Sequence, residues 1–393
     1  MKKNYDIICL SLVRWESEIQ SPATWLVREL AKTNRVFYIN HPLSLKDFVY
    51  HKFFRKEKVK VNEISSPEKN IVVATPNLTL PINFLPNGRL YNWLKEINNK
   101  IVAKSLRRLI KEFNITNFVY INFFDPYFLQ HMPKGVNPVK TIYQSMDDIS
   151  QVAYSKRHGE RLEIDVMQNS DIVLCTSREL TRLKKEHAKN VYFHPNGVDS
   201  ELFKKAALLK MKVPDDLAGI SKKIIGYVGS IEYRMDFELV KKIAEAHRDK
   251  ILFFIGPVSS KDYENIDLSR EENLVFAGGK KVDEILPYLQ HFDCVIVPFK
   301  KNVLTRSIYP LKINEYLAAG KPVITTNFSE DINAFREVAY VANSDEEFIQ
   351  LIDKAIENND EEKKKRRIEV AEQNSWQVRA REFWEILENN STE

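Results

Sequence analysis

Residues 307–326, SIYPLKINEYLAAGKPVITT, admit few folds because they spell a short helix with both ends marked, running straight into a strand. Pro310 suits the first helical turn, where its missing N–H is one that would have no partner anyway, and Gly320 followed by Pro322 supplies the stop. The residues after the stop, PVITT, are β-branched and apolar, the composition of a strand covered on both faces in a parallel sheet. A helix feeding such a strand is one unit of an α/β domain. On the helix, Lys312 and Glu315 lie three apart and share a face. A cation in the first turn opposes the helix dipole, and two readings of it are open. Either an anion docks on the first-turn N–H groups at Pro310, Leu311 and Lys312, so that amides, dipole and ammonium act together, or Lys312 and Glu315 are a solvated ion pair worth little.

The helix–strand unit recurs. DIICLSL (6–12) reads as a first strand, RWESEIQSPATW as a loop, TWLVRELAKT as a helix with Trp25, Leu26, Leu30 and Ala31 inward, and RVFYINHP as a second strand. That βαβ opening favours a parallel sheet with ligands at the carboxyl ends of its strands. Arg14, Trp15, Glu16 and Gln20, in the first such loop, are therefore candidate acceptor contacts. VKTIYQSMDDIS (139–150) reads as a strand that delivers Asp147 and Asp148 to the same kind of edge. The pattern restarts at KKIIGYVGSIEYRMDF, where Gly226 and Gly229 surround a strand end and Ser230 opens a loop holding Arg234. ILFFIGPV, NLVFAGGKK, DCVIVPF and PVITT follow as four further strands separated by helices.

A chain of 393 residues exceeds what one core usually covers, so two domains are expected, with the boundary near residue 200 and the Lys-rich stretch 204–221 as a linker. In HPNGVD (194–199), Asn196 and Gly197 make a turn and Asp199 caps the helix after it. The N-terminal apolar run is too short for a membrane span and has no small-residue cleavage site, which places the protein in the cytoplasm. Cys9, Cys175 and Cys294 each sit in an apolar strand-like run at no metal or CxxC spacing, so reduced core residues are expected.

Charge is unevenly spread. Residues 1–200 hold 30 Lys and Arg against 20 Asp and Glu, whereas the whole chain is only +5. The basic half should face an anionic partner. In 48–60, FVYHKFFRKEKVK, aromatic and basic residues interleave as at a membrane interface, with rings at headgroup level and cations on anionic lipid. No RNA- or DNA-binding motif supports nucleic acid as the partner. The plainer alternative is an exposed helix whose aromatic face packs on its own domain.

The run PLKINEYLAAGKPVI resembles the nucleotide-binding signature of GT-B glycosyltransferases, especially the retaining type that builds bacterial surface polysaccharides. It is most similar to a subgroup, the TuaH-like teichuronic acid glycosyltransferases, in which proline and lysine replace the first half of the motif. The resemblance spans nearly the whole chain. It is sharpest in 307–326 and weaker in 194–199 and 224–230. It implies an α/β fold of two Rossmann-like domains facing across a cleft. The acceptor domain would be residues 1–200 joined by a crossing helix at 376–393, and the nucleotide-sugar domain would be 201–375. It further implies that Glu315 hydrogen-bonds the nucleotide ribose and that the 310–312 amides hold the diphosphate. Gly229, Ser230 and Arg234 would reach the diphosphate from the other side, and Gly279 and Lys281 would lie where the base stacks. Ser307 stands where the family carries a glutamate on the donor sugar.

The reaction so implied moves a sugar from a nucleoside diphosphate sugar to a growing surface glycan or lipid-linked acceptor. It needs a stabilised leaving group, an oriented sugar and a base for the acceptor hydroxyl. Lys312 and Arg234 would replace the divalent metal that other transferases use, no carboxylate or histidine cluster arguing for a metal, and no cofactor is called for. Asp147 and Asp148 are the candidates for the base. Successive strand residues point opposite ways, so one acts on the acceptor while the other caps the next helix, unless the pair is only a cap and turn. His41 and His194, each before a proline at a strand end, are more simply structural. Two rivals remain: an epimerase of nucleotide sugars on the same fold, and a scaffold of a polysaccharide-assembly complex that binds nucleotide without transfer, which Ser307 favours and Lys312 with Glu315 opposes.

Overall fold

The computed structural model describes residues 5–17, 21–56, 58–151, 155–259, 266, 268 and 270–390. They form two compact units, one of Met1–Pro195 with Ala380–Glu393 and one of Asn196–Arg379.

In the first unit the strands β1 (Asp6–Ser11), β2 (Val36–Asn40), β3 (Glu63–Glu68), β4 (Ile71–Thr75), β5 (Phe118–Phe123), β6 (Lys140–Ser145), β7 (Ile172–Cys175) and β8 (Val191–Phe193) make an eight-stranded sheet in the order β3-β4-β2-β1-β5-β6-β7-β8. All neighbours pair parallel except β3, which runs antiparallel to β4 on the edge. Every residue of β2, β5 and β7 is buried. That is the reason their sequences are continuous apolar runs: helices cover both faces, so neither face needs polar residues. On one face Ile8, Leu10, Phe37 and Ile39 pack with Val102, Leu106 and Leu109 of the long helix Arg89–Glu112. On the other, Tyr143, Val173 and Cys175 pack with Val166 and Met167. The β3–β4 hairpin is the addition that alternation of strands and helices did not announce.

The second unit carries β9 (Ile224–Val228), β10 (Ile251–Ile255), β11 (Leu274–Phe276), β12 (Cys294–Val297), β13 (Val323–Thr326) and β14 (Tyr340–Ala342), ordered β11-β10-β9-β12-β13-β14 and all parallel. The restart at 224 and the four strands expected after it are present. Residues 204–221 are not simply a linker: Ser200–Leu208 is a helix, capped by the Asp199 carboxylate accepting from the Leu202 N–H at 3.0 Å. It packs on the helices Leu311–Ala318 and Val282–His291 through buried Phe203 and Ala206, so its apolar spacing wins over its lysines. The tail is a helix, Trp376–Asn389, and Phe383 and Leu387 are buried. The three cysteines are free and buried, as expected of core residues.

The aromatic–basic run does not pack on its domain. Leu45–Val49 and the π-turn Tyr50–Phe54 contain no buried residue, and Phe53 and Phe54 are 64% and 76% exposed. The short helical stretch is too brief for its rings to share one inward face. No described helix is long and apolar enough to cross a membrane.

Candidate functional site

In the second unit the carboxyl ends of β9, β10 and β11 gather the predicted donor residues. The helix Leu311–Ala318 begins beside them and is fastened there by Tyr316. The Val228 N–H donates to the Tyr316 hydroxyl at 2.8 Å, and that hydroxyl donates to the Val228 carbonyl at 3.0 Å. Next in the chain is Gly229, at φ +139, where a Cβ would lie 1.9 Å from the Lys312 Nζ. Only glycine leaves that ammonium its place. Behind it, Gly256 lets a second loop approach, since a Cβ there would lie 2.0 Å from the Gly229 carbonyl oxygen. The Gly256 N–H in turn donates to the Gly278 carbonyl at 2.8 Å, which brings Gly279 to the same edge.

Lys312 is half-buried, with its Nζ 5.6 Å from the Tyr227 ring centroid. Burial pushes its pKa down and that of half-buried Glu315 up, while each charge partly offsets the shift of the other. Among the described residues neither group has an ion pair or a side-chain hydrogen bond. The two are not the solvated pair of the plainer reading. No side chain caps this helix. The first-turn amides are fewer than expected, however: Pro310 has no N–H and is the N-cap, the Leu311 N–H bonds the Tyr309 carbonyl at 2.8 Å, and the Ile313 N–H bonds the Pro310 carbonyl at 3.0 Å. The Lys312 N–H is the one left without a backbone acceptor among the described residues.

The remaining donor candidates are placed less openly. Arg234 is paired with Glu232 and lies 6.0 Å from the Phe299 ring centroid, near enough to Lys312 to depress its pKa further. The Ser230 carbonyl accepts from the Tyr227 hydroxyl at 2.9 Å. Lys281 caps the helix Val282–His291, its N–H donating to Glu284 at 2.7 Å. Ser307 is only 2% exposed and closes the short helix Val303–Arg306, so its side chain has little surface to offer a sugar.

In the first unit the carboxyl edge of the sheet holds the other candidates. One Arg14 amine donates to the His41 carbonyl at 3.1 Å, and the Trp15 N–H donates to Asn40 Oδ1 at 2.8 Å. The Asn40 amide, fully buried, donates to Glu16 and to the Thr75 hydroxyl at 3.0 Å each. Arg14, Trp15 and Glu16 thus come together, but much of their polar capacity holds their own loop down. Gln20 lies outside the described residues. Asp148 is the cap: its Oδ1 accepts from the Ser150 hydroxyl at 2.7 Å and the Ser150 N–H at 3.1 Å. Asp148 thus takes the capping role expected of one member of the pair, and Asp147 beside it is half-buried. Asp125 was not singled out by the sequence, yet it is fully buried with Oδ2 2.6 Å from His41 Nδ1. Its position just after a strand was the signal available.

Residues 222–358 match the family model Glycosyl transferases group 1. Among curated proteins the chain is similar to a Bacillus subtilis protein provisionally assigned as the teichuronic acid biosynthesis glycosyltransferase TuaH, 28% identical over 225 residues. That match takes in 54% of this chain and 56% of the relative, so it spans about half the relative's length. Among solved structures, sucrose-phosphate synthase from Thermosynechococcus elongatus superposes with a TM-score of 0.70 at 14% identity, covering 98% of both chains. An Escherichia coli trehalose-6-phosphate structure bound with UDP-2-fluoro glucose also gives 0.70, at 12% identity and 99% of both chains. The fold is that of the GT-B glycosyltransferases, with two parallel sheets in a mixed α/β chain.

Proposed function

We propose that the protein is a glycosyltransferase that moves a sugar from a nucleoside diphosphate sugar to a growing cell-surface glycan or a lipid-linked acceptor. The observation that carries this reading is the pair of charges on the start of the helix Leu311–Ala318. Lys312 and Glu315 are half-buried and unpaired among the described residues, a costly arrangement that makes sense when a ligand supplies the partners. An ammonium beside a free first-turn N–H suits a diphosphate, and a carboxylate one helical turn on suits the paired hydroxyls of a ribose. The group 1 match over the same segment, the TuaH-like relative and a similarly folded structure bound with UDP-2-fluoro glucose support a uridine nucleotide as the first probe.

On the acceptor side, Asp147 orients the receiving hydroxyl, with Arg14, Trp15 and Glu16 shaping the loop beside it. The protein also docks on the anionic inner membrane face through Tyr50, Phe53 and Phe54, exposed rings interleaved with Lys52 and Arg55. Exposed apolar rings in such number are uncommon on a freely soluble surface.

Titration calorimetry with UDP tests the nucleotide site. Glu315→Ala should weaken binding by roughly 1.5–3 kcal/mol, the worth of a hydrogen bond to a charged group, with the melting temperature retained. Equal affinity in the two proteins would remove the nucleotide from this helix.

A further inference from the structure

We propose that the second unit binds a small phosphorylated anion in a cavity at the amino edge of its sheet, a site separate from the donor residues and independent of the nucleotide reading. The cavity, of about 210 Å³, is lined by Arg336, Lys363, Arg366 and Arg367, with Tyr340 beside them and Glu337 as the one carboxylate among the described lining residues. Three pieces of chain build it. The short helix Glu330–Phe335 ends at Arg336, Val338 and Ala339 lead into β14, and the helix Glu361–Gln373 brings the other three cations. Lys363, Arg366 and Arg367 lie three and four apart on that helix, so they share one face. Because the six strands are parallel, the start of β14 lies at the edge opposite the carboxyl ends of β9, β10 and β11, where the donor candidates gather.

Arg367 is the residue that points to a ligand. It is only 2% exposed, and its Nε is buried with no hydrogen-bond partner among the described residues, while one terminal amine donates to Asn359 Oδ1. Among the described residues no ion pair engages it. Burial pulls its pKa down, with Tyr340 and Asp360 pulling the other way. A guanidinium taken out of water with a bond unmade lowers stability, and a bound anion supplies both the charge and the acceptor. The exposed cations around it are loosely committed. Arg366 reaches Glu337 at 3.4 Å and Glu369 at 3.5 Å, and Lys363 reaches Asp360 at 3.4 Å, all beyond the roughly 2.7–2.9 Å of a strong charge-assisted bond. Lys363 also donates to the Asn358 carbonyl at 3.0 Å, and the Arg336 Nε donates to Asn333 Oδ1 at 2.8 Å. Exposed pairs of this kind hold little energy, so the cations are free to turn toward an anion.

The lining selects the ligand. Four cations against one carboxylate suit a doubly charged anion, and the guanidinium forks match the oxygens of a phosphate group. The cavity is smaller than the roughly 300–1,000 Å³ of a drug-sized ligand pocket, so it takes a phosphate on a short carbon stem rather than a nucleotide. A lipid headgroup fits less well. Among the described residues no large apolar side chain of 328–375 is exposed, so nothing in these elements receives acyl chains.

The test is calorimetry and thermal melting with inorganic phosphate and glycerol 3-phosphate, against sodium chloride at matched ionic strength. The proteins are the wild type, Arg367→Met, the double variant Lys363→Gln with Arg366→Gln, and Lys312→Met. Either phosphate should raise the wild-type melting temperature beyond the effect of chloride, because a ligand of the folded state stabilises it. Arg367→Met should lower phosphate affinity at least ~10-fold, the low end for a hydrogen bond to a charged group. The double variant changes exposed side chains, so it should lose affinity by a similar factor while keeping its melting temperature without anion; it decides the matter if Arg367→Met does not fold. Lys312→Met should bind phosphate as the wild type does. A melting shift no larger than that of chloride overturns the site, as does wild-type phosphate affinity in the double variant. Affinity lost in Lys312→Met and kept in the double variant also overturns it, since the anion would then sit among the donor residues.

Discussion

Gly229→Ala puts the donor site under a single, calculable strain. The added Cβ would lie 1.9 Å from the Lys312 Nζ and 2.5 Å from its Cε. Carbon contacts settle at roughly 3.5–4.0 Å, so the ammonium must retreat by about 1.5–2 Å. It can do so, being the far end of a flexible side chain, and the fold survives. The backbone adds its own strain, because φ +139 is a region that L-residues rarely adopt, at roughly 1–3 kcal/mol. For a unit of this size that lowers the melting temperature by roughly 3–10 °C. A charge-assisted hydrogen bond to the diphosphate, worth roughly 1.5–3 kcal/mol, is then lost or stretched, which corresponds to about 10- to 150-fold in UDP affinity. Calorimetry on the wild type, Gly229→Ala, Lys312→Met and the double variant separates mechanism from coincidence. If the alanine acts by displacing Lys312, it should add little once the lysine is gone, because the two changes share one partner. Additive losses, or a Gly229→Ala protein that binds UDP normally, would refute the placement of the diphosphate at Lys312.

Asp147→Asn should slow UDP release with UDP affinity unchanged, whereas Asp148→Ala should cost about 0.5–2 kcal/mol of stability as a lost cap and leave turnover near normal; reversed effects would exchange their roles. Liposome co-sedimentation should capture the protein on anionic but not neutral vesicles at low salt, with a salt-resistant remainder that Phe53→Ser with Phe54→Ser abolishes, because charge is screened over roughly 8 Å and ring insertion is not. A protein left in the supernatant with anionic vesicles at low salt counts against membrane docking. Burial holds Lys312 below its ordinary pKa of 10.5, against the pull of Glu315 and with the help of Arg234, and a bound diphosphate would raise it again. UDP binding should therefore take up a proton at pH values between the free and bound pKa, with affinity falling as pH rises through that window; a slope that survives Lys312→Met would assign the titration elsewhere.

The two parallel sheets were legible because βα alternation is written in periodicity. Runs such as VFYIN and CVIV have no polar face, and that pattern requires cover on both sides. The β3–β4 hairpin was not, since EISSPE has neither apolar alternation nor a strong strand former in its exposed half. The helix Ser200–Leu208 was masked by its lysines, which lie on its solvent side while Phe203 and Ala206 do the packing. In the donor site, Lys312, Glu315 and Gly229 were visible as residues, but that Gly229 leaves room for Lys312 depends on how the chain between them folds. The His41–Asp125 pair, 84 residues apart, was hidden for the same reason. Each residue could be placed at a strand end, but their meeting depends on β1 lying between β2 and β5, and strand order is not carried by local periodicity.

What sequence alone could not supply, the hydrogen-bond pattern does. Arg14, Glu16, Asp148 and Lys281 were attractive as polar residues at strand ends, and each turns out to fasten its own loop or helix. Ser307 is sealed in a helix end. Lys312 and Glu315 differ in that no ion pair or side-chain hydrogen bond among the described residues engages them, and only their mutual attraction and the Tyr227 ring offset their burial in part. Leaving a half-buried charge unpaired lowers stability, because desolvation is not offset by a partner. Such groups persist where a ligand completes them, which is why the proposed nucleotide site rests on Lys312 and Glu315.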